Sequence, residues 1–312
     1  MTMRDFSQAG VPAAATFGRF ICRSKPRLIN RLAVGLLLAM ITFHAAQITS
    51  SSAEPPKRII SLAPNITEIL YALGVEDRIV GVSSYCDYPE RAKQKPKVGG
   101  LSNPSLEAVV SLKPDIVFLT IDGNPKAFEE RLRAMNIKTV VLSARKISDL
   151  PDSIRLVGTS VGAVEKAEQM AITIEKRIRD YEEREKKFRS PHEPLKKPKA
   201  LFIVWPEPLI VAGPGTTTNE ALAMLGLENV AARALSAYPK YSIEEILRQS
   251  PDIIFIGKGN GMDQVAPNLL NRLKNVPAVK NRKVFYVSDY LYRLGPRTMR
   301  GVDELAAHLV TP

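Results

Sequence analysis

Aromatic and acidic side chains are concentrated in a few short loops of this sequence. The loop at 83–89 (SSYCDYP) directly follows an apolar run at 79–82 that reads as a strand. Open α/β sheets bind ligands at the carboxyl ends of their strands. Tyrosine rings offer flat apolar contact, and hydroxyl and carboxylate groups anchor polar atoms. Tyr85, Asp87 and Tyr88 therefore predict non-covalent recognition of a ligand, although an ordinary surface turn has a similar composition.

Side chains of the same kind follow later strands and loops. Trp205 is the only tryptophan of the chain and follows an apolar run in what reads as the matching place of the second half. Tyr238 lies in a loop, and the segment SDYLYR adds Asp289, Tyr290 and Arg293. Each of these is weak evidence alone. Together with the first loop they indicate an aromatic cleft with a few charged anchors.

Two glutamates occupy the same position in two similar segments. SLEAVVSLKPDIVFL, which begins at Ser105, recurs as SIEEILRQSPDIIFI, which begins at Ser242. An acid in the first turn stabilises a helix by about 0.3 to 1 kcal/mol. This explains why each copy has an acidic residue there, but not why both copies have glutamate at the same position. We interpret Glu107 and Glu244 as exposed carboxylates, one on each half, that face a partner with matching basic residues.

Catalytic and metal-binding patterns are mostly missing from the sequence. His44, His192 and His308 are too scattered for a His–carboxylate cage in a cleft. The segment 213–218 (GPGTTT) lacks the lysine of a phosphate-binding loop and is interpreted as a turn into a helix. Cys86 has no neighbouring histidine to act as its base, so a structural thiol is the better interpretation. No metal site and no catalytic residue are predicted.

The repeated segment indicates that the chain builds one supersecondary unit twice. A second echo, TEILYALG from Thr67 against NEALAMLG from Asn219, supports this. Strands that are apolar on both faces and alternate with helices are typical of a parallel sheet covered by helices. We therefore expect an α/β protein of two similar lobes, each a mainly parallel sheet flanked by helices. Strands are predicted at 58–62, 79–82, 115–119, 139–142, 200–204, 253–256 and 284–287, and helices at 65–73, 105–112, 128–135, 148–160, 220–225 and 243–248.

A long polar segment joins the two halves. From Val164 to Arg189 there is no Gly or Pro, and the apolar residues fall on one helical stripe. A helix of that length reaches about 39 Å, enough to run along the back of two lobes. The predicted organisation is an N-terminal lobe at 57–163, a linking helix at 164–190 and a C-terminal lobe at 198–312. A single linking helix permits little hinge motion, so we expect rather stiff lobes.

The first 53 residues read as a secretory signal peptide. Leu32 to Ala46 is an apolar run behind several basic residues, and it is shorter than the roughly 20 residues that a membrane span requires. Small residues directly before Glu54 suit cleavage, so the exported protein is expected to begin there. The alternative is an uncleaved membrane anchor. Cys22 precedes the apolar run, which argues against lipidation.

The charge pattern bears on partners. The formal net charge is +12, but basic residues alternate with acids along the predicted helices, and no dense basic run lies beside aromatic residues. This argues against nucleic acid as a partner. After cleavage the chain keeps one cysteine, Cys86, so it has no internal disulfide. Its length still allows two sizeable cores.

From about Lys57 to Leu309 the sequence resembles the helix-linked periplasmic binding proteins of ABC importers for cobalamin, haem and ferric siderophores, and within them most closely the vitamin B12-binding members. The most specific parts are 83–89 (SSYCDYP), the block from Leu106 to Asp115, and 288–297 (SDYLYRLGPR). The resemblance implies a periplasmic binding protein without enzymatic activity. It also implies a monomer that delivers its ligand to a permease–ATPase complex in the inner membrane.

The same resemblance implies roles for single residues. It implies that Glu107 and Glu244 dock into arginine pockets of the permease. It places ligand contacts on Tyr85, Asp87, Tyr88, Trp205, Tyr238, Asp289, Tyr290 and Arg293. One difference concerns the ligand: the segment 99–103 (GGLSN) lacks the tryptophan that B12-binding relatives carry there.

Three ligand classes make different demands on such a cleft. A corrin is broad, flat and fringed by neutral amides, which suits the aromatic faces named above. Haem favours an axial protein ligand, for which a tyrosine such as Tyr85 or Tyr88 is available. Ferric siderophores, often anionic, favour converging arginines such as Arg293 and Arg297. We expect a corrinoid, cobalamin, as the transported ligand and no cofactor, with a siderophore or haem carrier as the alternative. An exported α/β enzyme and a scaffold that binds through its glutamate faces are the other classes of protein considered.

Overall fold

The first sheet contains four short parallel strands. The computed structural model describes residues 54–188, 196–258 and 262–310; the predicted signal peptide, His44 and His192 lie outside them. The order of the strands is β2-β1-β3-β4, and every neighbouring pair is parallel. The strands are β1 (Ile59–Ser61), β2 (Ile79–Val82), β3 (Ile116–Thr120) and β4 (Lys138–Leu142).

Helices cover both faces of this sheet. They are α1 (Pro64–Ala72), α2 (Leu106–Ser111), α3 (Lys126–Ala134) and α4 (Leu150–Val161). Successive side chains of a strand point to opposite faces. Ile59 and Phe118 therefore join a core with α1 and α4, whereas Ile60 and Val117 join a second core with α2 and α3. Burial on both faces explains why these strands show no polar alternation.

The second sheet has five strands. Its order is β6-β5-β8-β9, with β7 pairing parallel to β5, and only the β5–β6 pairing is antiparallel. The strands are β5 (Lys199–Pro206), β6 (Leu209–Val211), β7 (Glu228–Asn229), β8 (Ile253–Gly257) and β9 (Val284–Val287). The accompanying helices are α6 (Thr217–Met224), α7 (Ile243–Gln249), α8 (Met262–Arg272), α9 (Pro277–Lys280) and α10 (Thr298–Val310).

A single long helix, α5 (Val164–Phe188), lies between the two sheets in the chain. It starts after Gly162, whose φ of 72° lets the chain turn out of α4. Its first turns pack closely on α4, where Ala167 touches Gly158. Its later turns contact the second half: the Arg177 guanidinium donates to the Met299 carbonyl at 3.0 Å. The predicted linking helix is confirmed over its described length; residues 189 and 190 lie outside the description.

One cluster of buried side chains runs through both halves. It includes Ile59 and Phe118 of the first sheet and Phe202 and Phe255 of the second. The predicted α/β fold with two parallel-sheet lobes is confirmed, while the lobe boundaries at 57–163 and 198–312 stay a prediction. No helix among the described residues is long and apolar enough to cross a membrane.

Candidate ligand-binding cleft

The loop after β2 is anchored by its cysteine. Cys86 is 1% exposed, and the Thr67 hydroxyl donates to its Sγ at 3.1 Å. Burial raises the pKa of the Cys86 thiol, which fits a neutral, structural thiol. The tyrosines of the same loop point outward, with exposed fractions of 61% for Tyr85 and 41% for Tyr88.

The segment after β9 is anchored in a similar way from the second lobe. Leu291 is buried and packs so closely on α10 that a Cβ at Gly301 would lie 2.7 Å from its Cγ. The Glu304 carboxylate accepts from the Ser288 amide at 3.0 Å. These contacts hold the short 3₁₀ turn Asp289–Leu291 and the arginines that follow it.

Asp87 and Arg293 meet across the two lobes. The Arg293 guanidinium donates to both carboxylate oxygens of Asp87, with an Nη2–Oδ2 distance of 3.1 Å. The bonds from Arg293 hold the pKa of Asp87 below its usual value. Both residues were predicted as ligand contacts, and the structure brings them together as partners of each other.

A second ion pair lies beneath the first, and the sequence did not predict it. The Arg297 guanidinium donates to the Glu68 carboxylate at 2.8 Å and 2.7 Å. Glu68 belongs to α1 of the first lobe and is only 4% exposed, so its charge requires a partner. Arg293 Nη1 also lies 3.9 Å from Glu68 Oε1, which links the two pairs.

Arg297 also lies between two predicted ligand-contact rings. Its guanidinium carbon is 4.0 Å from the centroid of Tyr88 and 5.2 Å from that of Tyr290. Asp289 Oδ1 lies 3.8 Å from Arg297 Nη1. The structure therefore gathers five of the eight predicted ligand-contact residues around this pair of arginines. They are Asp87, Tyr88, Asp289, Tyr290 and Arg293.

The second lobe contributes two further tyrosines, Tyr238 and Tyr292. Tyr238 is 53% exposed, and desolvation and the nearby Asp122 of the first lobe raise its pKa. Tyr292 lies against β8, where a Cβ at Gly257 would come within 1.6 Å of its hydroxyl oxygen. Burial raises the pKa of Tyr292 strongly. Sequence reasoning missed Tyr292 as a candidate, although it stands two positions after Tyr290.

Trp205 lies within strand β5 and not in a loop after it. Strand β5 continues through Trp205 to Pro206 because these residues pair with β6 in an antiparallel hairpin. The indole Nε1 donates to the Glu207 carbonyl at 2.8 Å. In the second sheet β5 occupies the place that β1 has in the first, so Trp205 is not the counterpart of the loop after β2, and that prediction is wrong. Among the described residues, no hydrogen bond or ring contact joins Trp205 or Tyr85 to the arginine group.

The two repeated glutamates have matching surroundings. Glu107 and Glu244 each occupy the second position of a short helix, and both are exposed. Each helix is capped by the preceding serine, with Ser105 accepting from the Ala108 amide and Ser242 accepting from the Glu245 amide. Hydrogen bonds from its own backbone amide and from the Ser242 side chain hold the pKa of the Glu244 carboxyl below its usual value. Neither glutamate forms an ion pair within the described part of the chain.

Metal-ligating side chains do not gather anywhere in the described ranges: no group of three or more could hold an ion. His308 instead stacks on Phe285, with the ring centroids 4.4 Å apart.

The turn predicted at 213–218 does lead into a helix, because the Thr216 side chain caps α6 by accepting from the Asn219 amide.

Two parallel-sheet lobes joined by one helix, with aromatic and charged loops facing each other, define a helix-linked ligand-binding protein. The family profile described as "Periplasmic binding protein" matches residues 59–291. The chain belongs to this family.

Individual relatives carry different ligand names. The vitamin B12-binding protein of Pectobacterium atrosepticum is 29% identical over 255 residues, which is 81% of this chain and 88% of that protein. The structure of the periplasmic vitamin B12-binding protein of Vibrio cholerae matches with a TM-score of 0.72 and 26% identity, over 82% of this chain and 97% of that one. The structure of the periplasmic haem-binding protein of Roseiflexus sp. RS-1 matches with a TM-score of 0.70 and 26% identity, over 81% of this chain and 97% of that one.

Proposed function

We propose that this protein captures a corrinoid, cobalamin or a close analogue, in the cleft between its lobes. It acts in the periplasm as an exported monomer without enzymatic activity or a cofactor of its own. It then delivers the ligand to an inner-membrane ABC permease. Relatives named for vitamin B12 binding support the ligand class, and the pairing of charges in the cleft supports it independently.

The pairing of charges is the observation that carries the proposal. Arg293 is bound to Asp87 and Arg297 to Glu68. At the rim, Arg145 Nη2 is 2.9 Å from Asp122 Oδ1. Arginines that are already neutralised by carboxylates offer little to an anionic ligand. This holds most strongly for Arg297, because its pair with Glu68 is nearly buried and breaking a desolvated pair costs free energy. The rings of Tyr88 and Tyr290 lie beside these pairs, and aromatic faces suit a flat body with neutral amides.

The alternative is a haem or ferric siderophore carrier. It is favoured by Tyr85, whose large exposure leaves its hydroxyl available as an axial ligand to haem iron. It is also favoured by Lys258, an exposed cation directly after β8, at the edge where the cleft loops lie. The haem-binding relative at 26% identity is consistent with this alternative.

Side-by-side calorimetric titration decides between these ligands. The purified mature protein is titrated with cyanocobalamin, a cobinamide, hemin and a ferric hydroxamate at equal ionic strength. We expect the corrinoids to bind most tightly. Tighter binding of hemin that is lost in Tyr85→Phe, or tighter binding of the hydroxamate that is lost in Lys258→Gln, would replace the corrinoid with that ligand.

A further inference from the structure

The Glu68–Arg297 pair is almost fully withdrawn from water. The exposed fractions of the two side chains are 3% and 12%. Glu68 comes from α1 of the first lobe, whereas Arg297 directly precedes α10 of the second. Two parallel hydrogen bonds fix the plane of the guanidinium as well as its position.

The fixed guanidinium has a ring on either lobe as its neighbour. Tyr88, at 4.0 Å, belongs to the loop after β2, and Tyr290, at 5.2 Å, belongs to the turn after β9. A guanidinium that lies over an aromatic face is attracted to it, more strongly where water is excluded. Because Glu68 prevents Arg297 from turning, both tyrosine rings are held against one rigid plane.

The other half of the repeat contains a simpler version of this contact. Glu220 occupies in the second lobe the place of Glu68 in the first, as the echo of TEILYALG and NEALAMLG indicates. Its carboxylate also crosses to the opposite lobe, where it accepts from the backbone amides of Ile147 and Ser148. Its partners there are backbone amides directly before α4. The arginine and the two rings are therefore particular to Glu68.

We propose that Glu68 and Arg297 are positioning residues for the ligand: a buried ion pair between the lobes that holds Tyr88 and Tyr290 in their ligand-facing orientation. The statement that Tyr88 and Tyr290 face the ligand rests on the proposed function. A ligand that meets rings already in place does not have to order them on binding, so its affinity is higher. The arginine acts through the tyrosines and not as an anion receptor.

The positions of the rings are tested first without any ligand. The mature protein is labelled with 3-fluorotyrosine, and the ¹⁹F lines of the two tyrosines are assigned with Tyr88→Phe and Tyr290→Phe. Arg297→Lys keeps the charge but loses the flat stacking surface, and Glu68→Gln keeps the volume but loses the carboxylate. Glu220→Gln is the matched control, since it removes a carboxylate from the equivalent contact between the lobes.

We expect Arg297→Lys and Glu68→Gln to shift or broaden the lines of both tyrosines, and Glu220→Gln to leave them unchanged. Unshifted lines in the first two variants overturn the proposal, and so do equal shifts in Glu220→Gln, because the effect is then a general loosening of the lobes. Should one of the two variants fail to fold by circular dichroism, the other decides.

Binding is measured second, by titration with cyanocobalamin. We expect Arg297→Lys to raise Kd by about tenfold, the scale of a desolvated cation–π contact, and Glu220→Gln to leave it within about twofold. An unchanged Kd in Arg297→Lys overturns the role in binding. A wild-type protein that binds no corrinoid contradicts the proposed function, while the fluorine spectra still decide whether the pair positions the rings.

Discussion

Asp87 and Arg293 neutralise each other at the entrance of the cleft, and this has a consequence for pH dependence. The pKa of Asp87 is lowered by its bonds to Arg293, so the folded state favours its charged form. Such a group stabilises the folded protein above its unfolded pKa of about 3.9, and this contribution is lost as the pH falls through the folded value.

We expect Asp87→Asn to lower the free energy of unfolding by at most about 1 kcal/mol at neutral pH, because the carboxylate is half exposed and screened. The difference from wild type stays constant between about pH 7 and pH 5 and shrinks as the pH falls below the unfolded pKa of about 3.9. Urea unfolding across this range measures it. Glu90→Gln is the control from the same loop, as its pair with Lys93 is exposed. A difference in the free energy of unfolding between wild type and Asp87→Asn that does not shrink as the pH falls below about 3.9 would contradict the assignment.

Trp205 remains a predicted ligand contact, with its indole oriented by the bond to the Glu207 carbonyl. We expect Trp205→Ala to weaken cobalamin binding by roughly 1 to 3 kcal/mol, as for an anchoring aromatic residue. Trp205→Phe keeps an aromatic ring and should therefore weaken cobalamin binding less than Trp205→Ala. Calorimetry gives both values, and urea unfolding of each variant separates lost contact from a disturbed β5–β6 hairpin. Unaltered affinity in a folded Trp205→Ala protein would remove the tryptophan from the site.

At this scale, the types of residue in the cleft were predictable from the sequence, but their partners were not. Asp87, Tyr88 and Arg293 stood out because aromatic and charged residues cluster in short segments. Glu68 did not, because it lies within an apolar helix and its partner is far away in the chain. The echo between Thr67–Gly74 and Asn219–Gly226 contained the signal: both copies have a glutamate at the second position.

Among the elements, the helices α2 and α7 present Glu107 and Glu244 in the same way on the two lobes. We expect Glu107→Ala combined with Glu244→Ala to leave the Kd for the ligand unchanged and to reduce uptake sharply in cells that carry the matching permease. The physical reason is that the caps Ser105 and Ser242 keep both helices intact while the carboxylates are lost.

The matched control for this pair is Glu245→Ala in α7, since Glu245 is bound to Arg248 of its own helix. Uptake by this control should stay near wild type. Normal uptake by the double variant would show that docking does not depend on the two glutamates.

The contact between α4 and α5 depends on a glycine. A Cβ at Gly158 would lie 2.2 Å from the Ala167 Cβ and 3.2 Å from the Ala163 carbonyl oxygen. Alanine is better than glycine inside a helix by about 1 kcal/mol, but overpacking costs about 1 to 3 kcal/mol.

We therefore expect Gly158→Ala to lower the free energy of unfolding on balance, by up to about 2 kcal/mol. Thr159→Ala, on the exposed side of α4, should change it little. Urea unfolding compares the two variants. Stabilisation by Gly158→Ala would mean that α5 can move away from α4 at no cost.

The order of most elements followed from the sequence, because buried strands and repeated helix starts leave clear patterns. The exceptions have physical causes. Strands β6 and β7 contain three and two residues, and such short segments become strands only through pairing with β5. The extension of β5 to Trp205 has the same origin. Helix α10 was missed despite Met299, Val302 and Leu305 on one buried face, a spacing typical of an amphipathic helix.

At the scale of the whole molecule, two features oppose a large hinge motion. The apolar cluster that contains both Phe118 and Phe202 is continuous from one lobe to the other, so opening the lobes would expose apolar surface to water. Helix α5 packs on α4 at one end, and near the other its Tyr181 hydroxyl donates to Asp303 Oδ1 at 2.7 Å. The lobes are thus joined by a core and a helix, with polar contacts between them on the cleft side.

We therefore expect the ligand-free and ligand-saturated proteins to have the same radius of gyration within the error of small-angle X-ray scattering. A variant with Asp87→Ala and Glu220→Ala lacks two polar contacts between the lobes, those of Asp87 with Arg293 and of Glu220 with the Ile147 and Ser148 amides, but keeps the Glu68–Arg297 pair. The radius of gyration of this variant should differ little from that of wild type, because the shared core is intact. Its amide hydrogens at Ile147 and Ser148 should exchange faster, because these amides lose their acceptor. A wild-type protein that contracts clearly on binding cobalamin would show that the shared core opens, and would contradict the stiff connection that the single helix and the continuous core predict.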